Sequence, residues 1–256
     1  MAKLLEGQRA VILGLANRWS IAAGIAQSFA REGAELVLTY QSERQLKAVE
    51  DFAAELGVAR LLQCDVTKED EMAALVETLK ADGKPVNTLV HSIAFANRED
   101  LNRPFTETSR DGFLLAQEVS VYSLISTARA ICPLMTDGGT VLTLTYLGAV
   151  RAVPNYNVMG VAKAALEGTV RYLAGELGEK NIRVNGISAG PIKTAAARAV
   201  GDLSKMLEHV ASRSPLRRNT NQDEVGDTAA MLASDLARGV TGNIIYVDGG
   251  YQIVGF

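Results

Sequence analysis

"AVILGLANRWSIAAGIA", Ala10 to Ala26, is where the fold is decided. Ala10 to Leu13 is a short aliphatic run, the composition of a strand covered on both faces. Gly14 ends it, and from Ser20 onward Ile21, Ala22, Ile25 and Ala26 recur at helical spacing. A strand delivered through a turn into a helix start opens a βαβ unit, and the positive end of that helix suits a pyrophosphate. The glycine pattern GxGxxG is not matched. After Gly14 the next glycine is Gly24, already inside the helix, and Ser20 and Ile21 stand where backbone would approach phosphate. On its residues alone the segment reads as a dinucleotide turn or as an ordinary strand-to-helix connection.

Outward from this unit the same alternation repeats. Strand-like runs stand at "ELVLTY" (Glu35), "RLLQCDV" (Arg60), "VNTLVHSIA" (Val86), "TVLTLTY" (Thr140), "IRVNGIS" (Ile182) and "NIIYVDGG" (Asn243). Helical patterns cover 20–31, 42–56, 68–80, 109–135, 155–178 and 221–237. The expected fold is α/β: a doubly wound parallel sheet of about seven strands with helices on both faces. At 256 residues, without repeat or linker, the chain is expected to form a single domain over 1–256. The least regular segments, 96–108 and 193–218, follow strand C-terminal ends, where open α/β sheets bind ligands.

Composition excludes several classes. The apolar fraction of 48% and charged fraction of 21% are those of a globular chain. Net charge is −3 and no Lys/Arg run marks a phosphate-tracking surface, so nucleic acid is not an expected partner. Cys64 and Cys132 stand far apart, and His91 and His209 are the only histidines, which supports neither a disulfide framework nor a metal site. The longest uncharged run, Gly138 to Val150, is too short to span a bilayer, and the N-terminal residues form no signal peptide. A cytoplasmic protein that does not enter the membrane is expected.

Candidate cofactor groups follow from the strand ends. Gln41, after the second strand, can bond a ribose hydroxyl where other dinucleotide folds use an acid, while Arg44 can receive a 2′-phosphate, leaving NADH and NADPH both open. Asp65, after the third strand, can accept from an adenine amino group or cap the next helix.

The second informative stretch is "YLGAVRAVPNYNVMGVAK", Tyr146 to Lys163. Tyr156 and Lys163 fall on one expected helix. Seven residues turn about 700°, so their side chains share a groove yet stand roughly 10 Å apart along the axis. The slot from which a lysine would touch the phenol directly is Gly160. Tyr146 ends a strand, either emerging at the ligand edge or simply covering the strand end.

The Tyr-x6-Lys spacing within "TYLGAVRAVPNYNVMGVAKAALE", together with "GLANRWSIAAGIA", "HSIAFA", "IRVNGISAGPIKT" and "VDGG", closely resembles the enoyl-acyl carrier protein reductases of the short-chain dehydrogenase/reductase superfamily. The resemblance spans essentially the whole chain. The general superfamily pattern (Tyr-x3-Lys, a preceding serine, a TGxxxGxG turn) is departed from at all three points, each time toward the enoyl reductase branch. The resemblance implies a Rossmann-type fold and NADH-dependent reduction of trans-2-enoyl thioesters on acyl carrier protein, the final reduction of type II fatty acid elongation, with NADPH less favoured because of Gln41. It implies catalytic roles for Tyr156, Tyr146 and Lys163, with Lys163 on the nicotinamide ribose. Cofactor contacts are carried over to Gly14, Ser20, Ile21, Gln41, Asp65, Val66, Ile93, Ile192, Lys193, Thr194, Ala195 and Ala196, and a substrate contact to Ala96. It also implies a mobile substrate-binding loop at about 194–210 with Gly201 as a hinge, and a homotetramer.

Three rivals are open at this point. "GISAG", Gly186 to Gly190, satisfies the G-x-S-x-G of a hydrolase elbow around Ser188, with His209 the one downstream histidine. A ketone reductase of the same superfamily would use the phenol on a carbonyl oxygen. A catalytically silent dinucleotide-binding regulator would need none of the three site residues.

Overall fold

The computed structural model describes residues 3–58, 60–194, 197 and 202–255. Seven strands form one parallel sheet: β1 (Arg9–Leu13), β2 (Glu35–Tyr40), β3 (Arg60–Gln63), β4 (Thr88–His91), β5 (Gly139–Thr145), β6 (Ile182–Ala189) and β7 (Ile244–Val247). Their order is β3-β2-β1-β4-β5-β6-β7, so the winding reverses between β1 and β4, the switch point at which such sheets bind ligands.

Both faces of the sheet are covered, which is why the strands read as continuous apolar runs. Along β1, Val11 and Leu13 enter one core layer, with side chains from α3 (Glu69–Ala81), α5 (Arg110–Gln117), α6 (Ser123–Ile131) and α7 (Asn157–Leu177). Ala10 and Ile12 enter the other, built with α1 (Ile21–Arg31), α2 (Glu43–Glu55) and α9 (Gln222–Ala233). Two further helices among the described residues are α4 (Arg98–Asn102) and α8 (Leu203–Arg213). They fall inside the segments expected to be irregular.

Gly24, the glycine displaced from the phosphate turn, serves packing. A Cβ there would run into the backbone of Gln222, and one on Gly226 would run into the Gly24 carbonyl, so α1 and α9 touch backbone to backbone. Ser28 Oγ donates to Asp227 at 2.7 Å across the same contact.

Two expected helices differ in form. The span 109–135 is α5, then a π-helical turn at Glu118–Tyr122, then α6 and a 3-10 turn at Cys132–Leu134. The span 221–237 ends at Ala233; Ser234 turns extended and caps a separate 3-10 turn by accepting from the Leu236 N–H.

Candidate active site

At the switch point Gly14 adopts φ 89°, and a Cβ on it would strike the Ser92 carbonyl and lie 2.9 Å from Ile93 Cγ1. Glycine thus lets the ends of β1 and β4 meet without side chain between them. Ser20 caps α1: its Oγ accepts from the Ala23 N–H at 3.2 Å and donates to the Asn17 carbonyl at 2.8 Å, and Ile21 begins the helix. One strand over, Gln41 Nε2 donates to Asp65 Oδ2 at 3.1 Å. The helix-cap reading of Asp65 is corrected: α3 starts at Glu69 with Lys68 at its cap, and Asp65 closes its own turn by accepting from the Thr67 N–H and hydroxyl at 3.0 and 2.7 Å. Burial alone would raise its pKa, but the bonds from Thr67 and Gln41 outweigh it and hold the carboxylate below its usual range.

Val66, Ile93 and Ala96 lie half-buried against the core layer that carries α7, and Ile192 lies against the opposite one. Lys193 is exposed, and Thr194 Oγ1 accepts from the Ala197 N–H at 3.1 Å. Ala195, Ala196 and Gly201 lie outside the described residues. Along the C-terminal edge of the sheet stand a side-chain-free crossing at Gly14, a helix N-terminus at Ser20 and the polar groups of Gln41 and Asp65, a set that could hold a dinucleotide.

The two tyrosines meet. The rings of Tyr146, just past β5, and Tyr156, at the cap of α7, pack edge to face with centroids 4.9 Å apart. Gly148 makes room, since a Cβ on it would lie 2.5 Å from Tyr156 Cδ1 and 3.4 Å from Tyr146 Cδ1. Gly160 is explained by the same crowding: its Cβ would come within 2.9 Å of the Gly148 carbonyl oxygen. The Tyr146 hydroxyl contacts Met206 Sδ on α8 at 3.5 Å. Beside Tyr156 opens a cleft of about 450 Å³ lined in part by Phe105, Val153 and Val161. Burial lifts both phenol pKa values, that of Tyr146 to about 12 and that of Tyr156 further.

Lys163 is 5% exposed, and its Nζ donates to the Leu144 carbonyl at 2.7 Å. Burial pulls its pKa down to about 8, with Glu167 opposing. Glu167, one turn on, accepts from Thr145 Oγ1 at 2.8 Å, so lysine and glutamate hold successive residues of β5. Neither partner is readable from the spacing, because one is a main-chain carbonyl.

A buried polar group that sequence reading passed over is His91, at the end of β4. It lies 3.1 Å from Thr143 Oγ1 and 2.8 Å from Ser123 Oγ, and burial, then the nearby Lys163, push its pKa down to about 3. The Ser123 hydroxyl donates to the Val119 carbonyl, so Nε2 of the neutral ring donates to Ser123. The neighbouring Ser120, inside the π turn, accepts from the Phe95 N–H at 3.0 Å. Ser120 and Ser123, three positions apart on one helical face, were the available signal, and π turns recur at functional sites.

The hydrolase alternative is removed by burial. Ser188 lies within β6, 1% exposed and in register with Thr145 and Tyr246, and residues 190–194 after the strand are not helical. His209 packs on Tyr251. Among the described residues no three His, Cys, Asp or Glu gather as a metal site, and no helix is long and apolar enough to cross a membrane.

Residues 14–252 match the family model described as Enoyl-(Acyl carrier protein) reductase. A Bacillus cereus enoyl-[acyl-carrier-protein] reductase [NADH] is 53% identical over 99% of this chain and 100% of its own length. An enoyl-[acyl-carrier-protein] reductase [NADPH] of Staphylococcus aureus is 50% identical over 98% of each chain. A solved structure of the Bacillus cereus reductase with NADP+ and indole naphthyridinone agrees with a TM-score of 0.97 at 53% identity, over 99% of this chain and 100% of that one.

Proposed function

The chain belongs to the enoyl-acyl carrier protein reductases of the short-chain dehydrogenase/reductase superfamily, and from that membership we propose how its residues divide the work. The reaction is reduction of the double bond of an enoyl thioester on acyl carrier protein. When bound, the reduced dinucleotide supplies a hydride to the β-carbon. Tyr156 then donates a hydrogen bond to the thioester oxygen as enolate charge gathers there, an interaction stronger on the way to product than in the ground state, and a proton taken up afterwards at the α-carbon completes the reduction. Its raised pKa keeps the phenol protonated at neutral pH, so it acts as a donor throughout. The single observation behind this reading is the Tyr146–Tyr156 pair seated on Gly148, which packs the Tyr156 ring into place.

Lys163 has three N–H donors and spends one on Leu144, leaving two for the nicotinamide ribose hydroxyls. Gly14, Ser20, Ile21, Gln41, Asp65, Val66, Ile93, Ile192, Lys193 and Thr194 form the rest of the dinucleotide site, and Ala96 faces the substrate. Tyr146 steadies Tyr156 and, through Met206, meets the helix of the substrate-binding loop.

NADH is the preferred reductant in this reading, because exposed Gln41 is neutral and offers a 2′-phosphate no charge. The chain is one catalytic domain, works in the cytoplasm and assembles as a tetramer. The outer face of α7 supports assembly: Val161, Ala164, Ala165 and Tyr172 are exposed there, Tyr172 at 84%. Supplying NADH or NADPH with a crotonyl thioester, and in parallel with a 3-ketoacyl thioester, is the decisive assay. Turnover of the enoyl substrate with NADH favoured is expected; turnover of the ketone alone would reject the assignment. Light scattering that finds a monomer would reject the tetramer.

A further inference from the structure

Tyr156 is bracketed by two asparagines with left-handed backbones, Asn155 at φ 60° and Asn157 at φ 33°. Asn157 is the first residue of α7, a position where φ near −60° is ordinary. A positive φ there is costly and persists only where the surroundings over-determine it. The Asn157 side chain is what does so. Its Nδ2 donates both of its protons outward, to the Leu101 carbonyl at 3.0 Å and to the Arg103 carbonyl at 2.7 Å.

Those two carbonyls belong to the last turn of α4 and the residues just after it, where carbonyls lack helical partners. The post they form is itself braced. Asp100, 2% exposed, accepts from the Ser109 N–H at 3.0 Å and the Ser109 hydroxyl at 3.3 Å, joining α4 to the start of α5, and Leu101 is buried. One amide group therefore spans from the residue after Tyr156 to a fixed part of the segment that follows Ala96. Asn157, Tyr156 and Phe105 line the same cleft.

We propose that Asn157 is a positioning residue for Tyr156: by spanning the Leu101 and Arg103 carbonyls, its side-chain amide holds the strained turn that aims the phenol. The proposal rests on the reading of Tyr156 as donor to the enolate oxygen. Small misplacement of a donor that acts only in the transition state lowers turnover without touching cofactor affinity.

Asn157→Gly separates the two contributions, because glycine accepts the backbone angle at no steric cost and removes only the amide. Crotonyl thioester reduction by the assembled enzyme is expected to lose about tenfold to 100-fold in kcat. NADH affinity by fluorescence titration is expected to stay within about twofold, and Tm within a few degrees. Asn157→Asp faces two carbonyl oxygens with a carboxylate, a setting that raises its pKa above about 3.9, and its kcat relative to wild type is expected to recover in part as pH falls from about 7 to about 4.5, where the protonated carboxyl donates to one of the two carbonyls again. A kcat at the wild-type level in N157G, or a kcat loss matched by an equal loss of NADH affinity, would overturn the proposal. If N157G does not fold, a flat relative pH profile for N157D overturns it in the same way. Failure of the wild-type protein to reduce any enoyl thioester is a different result, and removes the reading of Tyr156 itself.

Discussion

At the ends of β2 and β3 the polar groups face water. Gln41 is exposed, Asp65 is half-buried, and the bond between them is open to exchange with solvent or ligand. At the ends of β4 and β5 they are enclosed: His91 is 0% exposed, Lys163 5% and Glu167 7%, each bonded to a neighbouring strand, helix or main-chain carbonyl. An exposed hydrogen bond competes with water and contributes about 0.5–1.5 kcal/mol. A buried one, once broken, strands its partner without solvent and costs more. The first region is thus suited to tuning which dinucleotide binds, and the second to holding a reaction geometry. Substitutions in the two regions should differ in size and in the kinetic constant they move.

The largest effect is expected at the catalytic edge. Tyr156→Phe keeps the ring seated on Gly148 and Tyr146 and removes only the donor. Loss of one such donor costs about 100-fold to 1,000-fold in kcat, and NADH affinity should be unchanged. A kcat within threefold of wild type would move the donor role to Tyr146. Next in size is Lys163→Ala, expected to weaken NADH binding by about tenfold to 100-fold while the chemical step loses less. The pKa of Lys163 near 8 adds a pH signature. Burial has lowered it from its ordinary value, so the ammonium is intact below pH 8 and loses its proton above. NADH affinity of the wild type should therefore fall as pH rises through about 8, and the Lys163→Ala profile should be flat there. Equal slopes in both would assign the titration to another group.

Both edges were legible in the sequence to different depths. Strand positions followed from apolar runs, and the start of the first helix near Ser20 from apolar spacing, because both are decided within a few residues. The exposed edge was readable for the same reason: Gln41 and Asp65 stand just after their strands. The enclosed edge was readable only in its Tyr-x6-Lys spacing and the family resemblance. Lys163 is fixed by a main-chain carbonyl 19 positions away, and Ser120 in the π turn between α5 and α6 meets Phe95, 25 positions away. No periodicity encodes such partners. The reading of Asp65 as a cap for α3 failed because its carboxylate accepts from Thr67 within its own turn and Lys68 stands at the cap.

Gly148 tests whether packing, rather than hydrogen bonding, fixes the enclosed edge. A methyl group there would meet Tyr156 Cδ1 at 2.5 Å and has no flexible side-chain end to displace. The ring must tilt or the 3-10 turn at Leu147–Ala149 must lift. Gly148→Ala is expected to lower kcat about tenfold, with NADH affinity within about twofold and a loss of about 1–3 kcal/mol in stability. Unchanged kcat would mean that the phenol tolerates a shifted ring.

The smallest effect belongs to the exposed edge, and it bears on a question that kinship leaves open. One Bacillus cereus relative is named for NADH, a solved Bacillus cereus structure holds NADP+, and a Staphylococcus aureus relative is named for NADPH. In the function proposed above the deciding group is Gln41, with Arg44 exposed three residues on. Gln41→Arg places a planar cation where a 2′-phosphate would lie, beside Arg44 and with Asp65 able to orient it. The site is open to water, so the gain is that of a screened surface contact and not of a buried pair. About tenfold in the NADPH to NADH ratio of kcat/KM is expected, roughly 1.4 kcal/mol, with kcat for the enoyl step little altered. The shift should shrink as salt is raised from low ionic strength, because the new contact is electrostatic and exposed. A change in kcat larger than the change in preference would mean that the two edges are coupled after all, and that the dinucleotide's adenosine end helps to place its nicotinamide against Tyr156.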